Sequence, residues 1–147
     1  MSTPSLSSET LHTTCVAKDG RAILIAGRSG SGKSDLALRL IGRGAILVSD
    51  DYTLVRRVSG RLLATAPDRI AGKLEVRGIG IVELEHVTDV PVCLLVDLDR
   101  ESERLPEPGE SLVIAGVKVP VVAISSMEAS AADKVEIALD HLGLRIS

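Results

Sequence analysis

Phenylalanine and tryptophan are absent from the 147-residue chain, and Tyr52 is its single aromatic side chain. The interior must therefore be built from Leu, Val, Ile and Ala, and a nucleobase or single strand would find almost no ring on which to stack. Any bound nucleotide is expected to be held through its phosphates. Only two cysteines occur, Cys15 and Cys93, both inside apolar runs and without companions at metal-ligand spacing. They read as reduced core residues, neither a disulfide framework nor a zinc site. A dense basic cluster is also lacking: 17 Lys and Arg against 20 Asp and Glu give a formal charge of −3, which argues against a nucleic-acid partner. No stretch approaches the roughly 20 consecutive apolar residues that span a bilayer, so no membrane partner is expected. Residues 1–10 are rich in Ser and Thr and lack a basic head followed by an apolar run, so they read as a disordered tail on a cytoplasmic protein.

What remains is a soluble composition, 45% hydrophobic and 25% charged, of the size of one ordinary domain, residues 11–147. The spacing predicts an α/β fold with a β-rich mixed sheet. Leu11 to Ala17 and Arg21 to Ala26 flank Lys18-Asp19-Gly20, a strong hairpin signal because an Asp-Gly pair turns tightly between β-prone runs. Ser34 to Ile41 has helical period, with Leu36, Ala37, Leu40 and Ile41 on one face, and stops at Gly42-Arg43-Gly44. Ala45 to Val48 reads as a buried strand that delivers Ser49-Asp50-Asp51 to its carboxyl end. Further strands are expected at Tyr52 to Val58, Arg61 to Ala66, Lys73 to Val76, Ile79 to Leu84 and Val92 to Leu98. After the turn-rich connector Pro106-Glu107-Pro108-Gly109-Glu110, a hairpin over 112–124 turns at Gly116, with Pro120 marking an edge or bulge. Ser126 to Leu142 closes the chain as an amphipathic helix stopped by Gly143.

One motif carries chemistry on its own. Gly27-Arg28-Ser29-Gly30-Ser31-Gly32-Lys33-Ser34 fits G-x-x-x-x-G-K-S/T, a pattern expected by chance in about half a percent of chains this long, and less often between a buried strand and a helix. Its physics is that of a phosphate cradle. Glycines let backbone N–H groups curl around a polyphosphate, the helix start adds positive potential, Lys33 reaches the outer phosphates, and the Ser34 hydroxyl is placed for Mg²⁺. A strand-end aspartate in such a site either holds Mg²⁺ or takes a proton from the nucleophile, and Asp50-Asp51 offers both; adjacent residues face opposite ways, so one of the pair enters the site while the other orients it or caps a turn.

A third cluster, Leu74-Glu75-Val76-Arg77-Gly78-Ile79-Gly80-Ile81, together with His12, the glycine-rich loop and the Asp-Asp pair, resembles the catalytic, carboxyl-terminal domain of HPr kinase/phosphorylase over roughly residues 11 to 124. That resemblance implies a P-loop domain related to phosphoenolpyruvate carboxykinase. The implied enzyme uses ATP and Mg²⁺ to phosphorylate a serine of the phosphocarrier HPr and can remove the phosphate by phosphorolysis. It makes Asp51 the general base and Asp50 its neighbour, Lys33 the phosphate lysine, Ser34 and Glu75 the Mg²⁺-linked positions, Arg77 part of the nucleotide site, His12 the histidine upstream of the loop, and Arg104 a further catalytic arginine. The partner is HPr or an HPr-like carrier, and a homo-oligomer is consistent with the resemblance. Three departures mark a minimal short form: the family's amino-terminal domain is missing, the stretch after the Glu-Val-Arg-Gly motif is short, and Ser125-Ser126-Met127-Glu128-Ala129-Ser130 stands where the family has the Pro-Gly-Arg-Asn segment used in dephosphorylation. The competing reading is a non-catalytic sensor that binds nucleotide and reports to a partner. A small-molecule kinase fits less well, since no separate lid or substrate domain is evident.

Overall fold

The computed structural model describes residues 7–104 and 109–146. In chain order its strands are β1 (Ser8–Leu11), β2 (Thr13–Lys18), β3 (Arg21–Ala26), β4 (Ile46–Ser49), β5 (Thr53–Val58), β6 (Arg61–Thr65), β7 (Lys73–Val76), β8 (Gly80–Glu83), β9 (Val90–Asp97), β10 (Ser111–Ile114) and β11 (Val117–Ala123). Two helices, α1 (Lys33–Gly42) and α2 (Ala131–Leu142), accompany them. The main sheet runs β1-β5-β6-β9-β3-β2-β4, and β7 and β8 form a separate two-stranded ribbon. The fold is the mixed α/β expected.

The β2–β3 hairpin turns at Asp19 and Gly20 with φ of 51° and 76°. Both central residues are left-handed, as a two-residue turn requires if its twist is to match the strands. β3 lies parallel to β9 and antiparallel to β2, and β2 in turn is antiparallel to β4. The carboxyl ends of β3, β4 and β9 therefore share one edge of the sheet with the start of β2. β9 changes partner along its length: Val90 and Pro91 face β6, while Leu95, Val96 and Asp97 face β11. This exchange curls the sheet. Pro120 sits opposite Ser111, just before β11 passes from β10 to β9, where a missing N–H costs least.

Residues of β3 alternate between two cores. Ile23 and Ile25 pack with Leu36, Ala37 and Leu40 of α1 and with Val135 and Leu139 of α2; Ala22 and Leu24 pack with Val55, Leu62, Val117 and Val119 on the other face. A strand covered on both faces reads as a continuous apolar run, as Arg-Ala-Ile-Leu-Ile-Ala does. Burial of Leu36 and Leu40 contributes about 1.5–3 kcal/mol for each. The far end of α2 is held by Arg21, whose guanidinium donates to the Leu139 and Leu144 carbonyls.

Three expectations are corrected. Ser8 to Thr10, read as part of a disordered tail, belong to β1, which pairs with β5 from Ser8↔Arg56 to Leu11↔Thr53; partner strand and Leu11 packing supply the order that the polar composition conceals. Residues 1–6 lie outside the described residues, as do 105–108 of the Pro-rich connector. The expected first strand is broken at His12 into β1 and β2, which pair with different neighbours. The closing helix begins at Ala131 rather than Ser126, because Ser125 to Ser130 is engaged elsewhere, as described below.

Cys15 and Cys93 are buried, and burial pushes both thiols above the ordinary cysteine range. Since the thiolate is the nucleophile, alkylation of the folded protein near neutral pH should run at least about 10²-fold slower than in denaturant. Rapid labelling of either cysteine in the native protein would contradict this packing.

Candidate active site

The glycine-rich loop leaves β3 at Ala26 and enters α1 at Lys33. Leu98 N–H donates to Ala26 O, and Arg28 N–H donates to the Asp99 carboxylate at 2.9 Å, so the segment after β9 fixes the loop's first limb. Gly27 has no room for a side chain, because an added Cβ would lie 2.4 Å from Ser31 Oγ. That hydroxyl is itself buried without a partner among the described residues. Gly32, at φ 96°, precedes α1 and supplies no side-chain cap, so the first N–H groups of the helix face the loop uncapped. An uncapped helix start inside a glycine-rich turn is an anion site in waiting. Lys33 is 6% exposed, and its ammonium donates to Gly27 O at 2.6 Å and Arg28 O at 3.1 Å. Two of its three donors are thereby used.

The two aspartates after β4 part company. Asp50 is 7% exposed, and its carboxylate accepts three hydrogen bonds: from Ser34 Oγ at 2.6 Å, from Thr14 Oγ1 at 3.0 Å and from the Glu75 N–H at 3.0 Å. Asp51, at φ 67°, is exposed and hydrogen-bonded to His12 Nε2 at 2.9 Å. A left-handed conformation at a non-glycine residue costs about 1–3 kcal/mol, and here it turns the second carboxylate out of the core while the first stays in. The turn is tied back by Tyr52 N–H to Asp50 O, by Asp51 N–H to Thr14 Oγ1, and by Ser49 Oγ to Tyr52 O. His12 also stacks on Tyr52, with ring centroids 5.2 Å apart.

His12, Lys33, Ser34, Asp50, Asp51 and the backbone of Glu75 thus meet at one edge of the sheet. The Glu75 side chain is exposed. Arg77 follows β7 in an exposed turn, and Arg104 lies in the exposed stretch after β9. Among the described residues neither arginine is joined to this cluster by a hydrogen bond or ion pair. Thr14, which bridges Asp50 and the Asp51 N–H, and Asp99 were not singled out from sequence. A threonine in an apolar strand carries no local signal. The run Val-Cys-Leu-Leu-Val ending in Asp97-Leu98-Asp99 did carry one, a strand-end aspartate beside the glycine-rich loop.

Whether Mg²⁺ fits can be tested on the donor set. Among the described residues no group of three or more His, Cys, Asp and Glu is arranged as a metal cage. Asp50 and the Ser34 hydroxyl are hard oxygen donors beside an anion-binding loop. Mg²⁺ is usually held this way, by one or two protein oxygens with substrate phosphates and water completing the octahedron. The residues fit.

Known proteins resemble the chain in sequence and in fold. The family model described as HPr Serine kinase C-terminal domain matches residues 5–145, and the chain belongs to that family. HPr kinase/phosphorylase of Caldicellulosiruptor bescii is 38% identical over 128 residues, covering 78% of this chain and 41% of that protein. The protein of the same name from Clostridium beijerinckii is 46% identical over 126 residues, covering 78% and 42%. The chain therefore spans less than half the length of these two relatives. The solved structure of the Hpr(Ser) kinase/phosphatase from Coxiella burnetii superposes with a TM-score of 0.77 at 26% identity, covering 90% of this chain and 94% of that one. No helix among the described residues is long and apolar enough to cross a membrane.

Proposed function

We propose that this chain is an ATP- and Mg²⁺-dependent serine kinase whose substrate is HPr or an HPr-like phosphocarrier, built on a P-loop fold of the phosphoenolpyruvate carboxykinase type and working in the cytoplasm. The observation that carries the reading is the division of the aspartate pair: Asp50 is buried against the loop's Ser34, while Asp51 faces solvent on His12. A sensor needs the loop and one metal-side carboxylate. It has no use for a second carboxylate held in a strained backbone and paired with histidine. The family match and the named relatives support HPr as the partner.

In this reading the loop Gly27 to Ser34 cradles the polyphosphate, with Lys33 turning its third donor to the outer phosphates. Ser34 and Asp50 would supply oxygens on the Mg²⁺ side, the exposed Glu75 carboxylate joins them from the resemblance, and a bound ion there would neutralise charge on the transferring group. The carrier's serine oxygen bonds to the γ-phosphorus as the bond to ADP breaks, and its proton passes to Asp51. His12 holds the Asp51 carboxylate at the mouth of the site. Arg77 and Arg104 enter from the resemblance alone, as cations for the phosphates. The test is a transfer assay with γ-labelled ATP, Mg²⁺ and an HPr-like protein. Phosphoserine on the carrier is the expected product, whereas nucleotide binding without transfer would favour the sensor.

The same reading predicts a direction. Phosphorolysis must press inorganic phosphate against phosphoserine, giving serine and pyrophosphate, and two anions approach only where cations or N–H donors hold both. Ser125 to Ala132 brings no cation of its own to replace the family's Pro-Gly-Arg-Asn arginine; Lys134, the next along the chain, is paired with Glu128, and Arg39, which reaches the segment from α1, donates to the Ser126 and Glu128 carbonyls. The forward reaction should outrun the reverse by at least about tenfold under matched substrate concentrations, the weight of one charge-assisted contact. Pyrophosphate release from phosphorylated carrier, Mg²⁺ and excess phosphate measures it. Comparable rates in the two directions would show that another cation has taken over.

A further inference from the structure

Ser125 to Ser130 departs from the family pattern and stands outside the mechanism above, yet it is fastened to the phosphate loop at two levels. Ser126 Oγ donates to Ser31 O at 2.7 Å, and Arg39 of α1 donates to Ser126 O at 2.7 Å and Glu128 O at 3.3 Å. Arg39 is itself steadied by Asp35 one turn earlier on α1, at 3.2 Å. The contact between the two loops is close: a Cβ on Gly32 would lie 2.8 Å from Ser126 Oγ and 3.1 Å from its Cβ.

The consequence follows from peptide geometry. Ser31 C=O and Gly32 N–H belong to one peptide unit, no peptide bond here is cis, and in a trans unit the two groups point in opposite directions. A hydroxyl that pins the Ser31 carbonyl toward the 125–130 segment therefore turns the Gly32 N–H away from that segment. The Gly32 N–H has no intramolecular acceptor among the described residues. The positive φ of Gly32 allows this peptide to flip at little cost, so without an external anchor the orientation would be divided between two states.

We propose that Ser126 is a positioning residue that fixes the Ser31–Gly32 peptide with its N–H aimed at bound polyphosphate, and that Arg39 acts through it by holding the Ser126 backbone in place. This rests on the reading of the loop as a phosphate cradle. The effect belongs to the outer phosphates and not to the nucleoside, because the aimed group is a single backbone donor at the helix start.

Dissociation constants for MgATP and AMP, measured by calorimetry on the full chain and on Ser126→Ala, Ser126→Thr, Arg39→Ala and the double variant Ser126→Ala with Arg39→Ala, test the proposal. Ser126→Ala should weaken MgATP about three- to tenfold, the weight of one net hydrogen bond, with AMP unchanged. Ser126→Thr keeps the hydroxyl and should bind as the parent does. Arg39→Ala should weaken MgATP similarly, and the double variant should be no worse than the poorer single one, because both act on one peptide. Unchanged MgATP affinity in Ser126→Ala, fully additive losses, or equal losses for AMP and MgATP would overturn the inference. Failure of the parent chain to bind MgATP at all would instead overturn the cradle reading beneath it.

Discussion

Lys33→Ala is expected to reduce ATP-dependent phosphorylation by at least about 10³-fold while the protein stays folded. The rate term comes from charge. Transfer of a γ-phosphoryl group spreads negative charge over oxygens that little covalent chemistry can relieve, and loss of one preorganised donor in such a site costs about 10² to 10³ on its own. Lys33 is more than a neutral donor: it is a cation, nearly enclosed, at the start of a helix whose dipole already favours anions. The folding term is smaller. Its ammonium donates to Gly27 O and Arg28 O, and losing those two bonds costs about 1–3 kcal/mol in total. The side chain belongs to neither apolar core, so the thermal transition should drop by several degrees and stay cooperative. Lys33→Arg should rescue stability better than activity, because a guanidinium can still donate to the two loop carbonyls but cannot place its charge at the point from which the compact ammonium reaches the outer phosphates. Initial rates with labelled ATP, read beside a melting curve, check both halves. A folded Lys33→Ala variant with near-parent turnover would end the phosphate-cradle assignment.

How far the sequence could have led depends on the range of each interaction. The hairpin turns at Asp19-Gly20 and at Gly116 were legible because Asp19, Gly20 and Gly116 take positive φ, a local demand that glycine meets cheaply and that announces itself in neighbouring residues. The helix behind the loop was legible for the same reason, its apolar period matching the core residues Leu36, Ala37 and Leu40. β1 was not, because Ser8-Glu9-Thr10 becomes a strand only when β5, more than forty residues later, offers its edge. Thr14 is the same case at the site. Its hydroxyl serves Asp50 and the Asp51 backbone because β2 lies beside β4, and no spacing within the chain announces that adjacency. Ser126 and Arg39 are joined across 87 residues. The motif residues could be named from sequence, then, but the side chains that aim them could not.

The aspartate pair offers the sharpest separation of roles. Asp51→Asn should leave MgATP binding within about twofold of the parent and lower transfer by about 10² to 10⁴, the usual weight of a general base. The amide keeps the size of the carboxylate and can still meet His12, but it cannot take the serine proton. The loss should therefore fall on kcat, with the KM for MgATP little changed. Asp50→Asn predicts a different pattern. Its carboxylate accepts bonds from Thr14, Ser34 and the Glu75 N–H on both oxygens, and an amide would turn a donor toward one of them. That clash leaves a buried donor unsatisfied at a cost of about 1–3 kcal/mol and disorders Ser34 beside the phosphates. MgATP affinity and turnover should therefore fall together, and the midpoint of denaturation should fall with them. The two variants, measured side by side for MgATP affinity, kcat and stability, give the test. If Asp51→Asn lost nucleotide affinity as steeply as turnover, Asp51 would belong on the metal side and the carrier's serine would need another base, with His12 the group left at the mouth of the site to supply it.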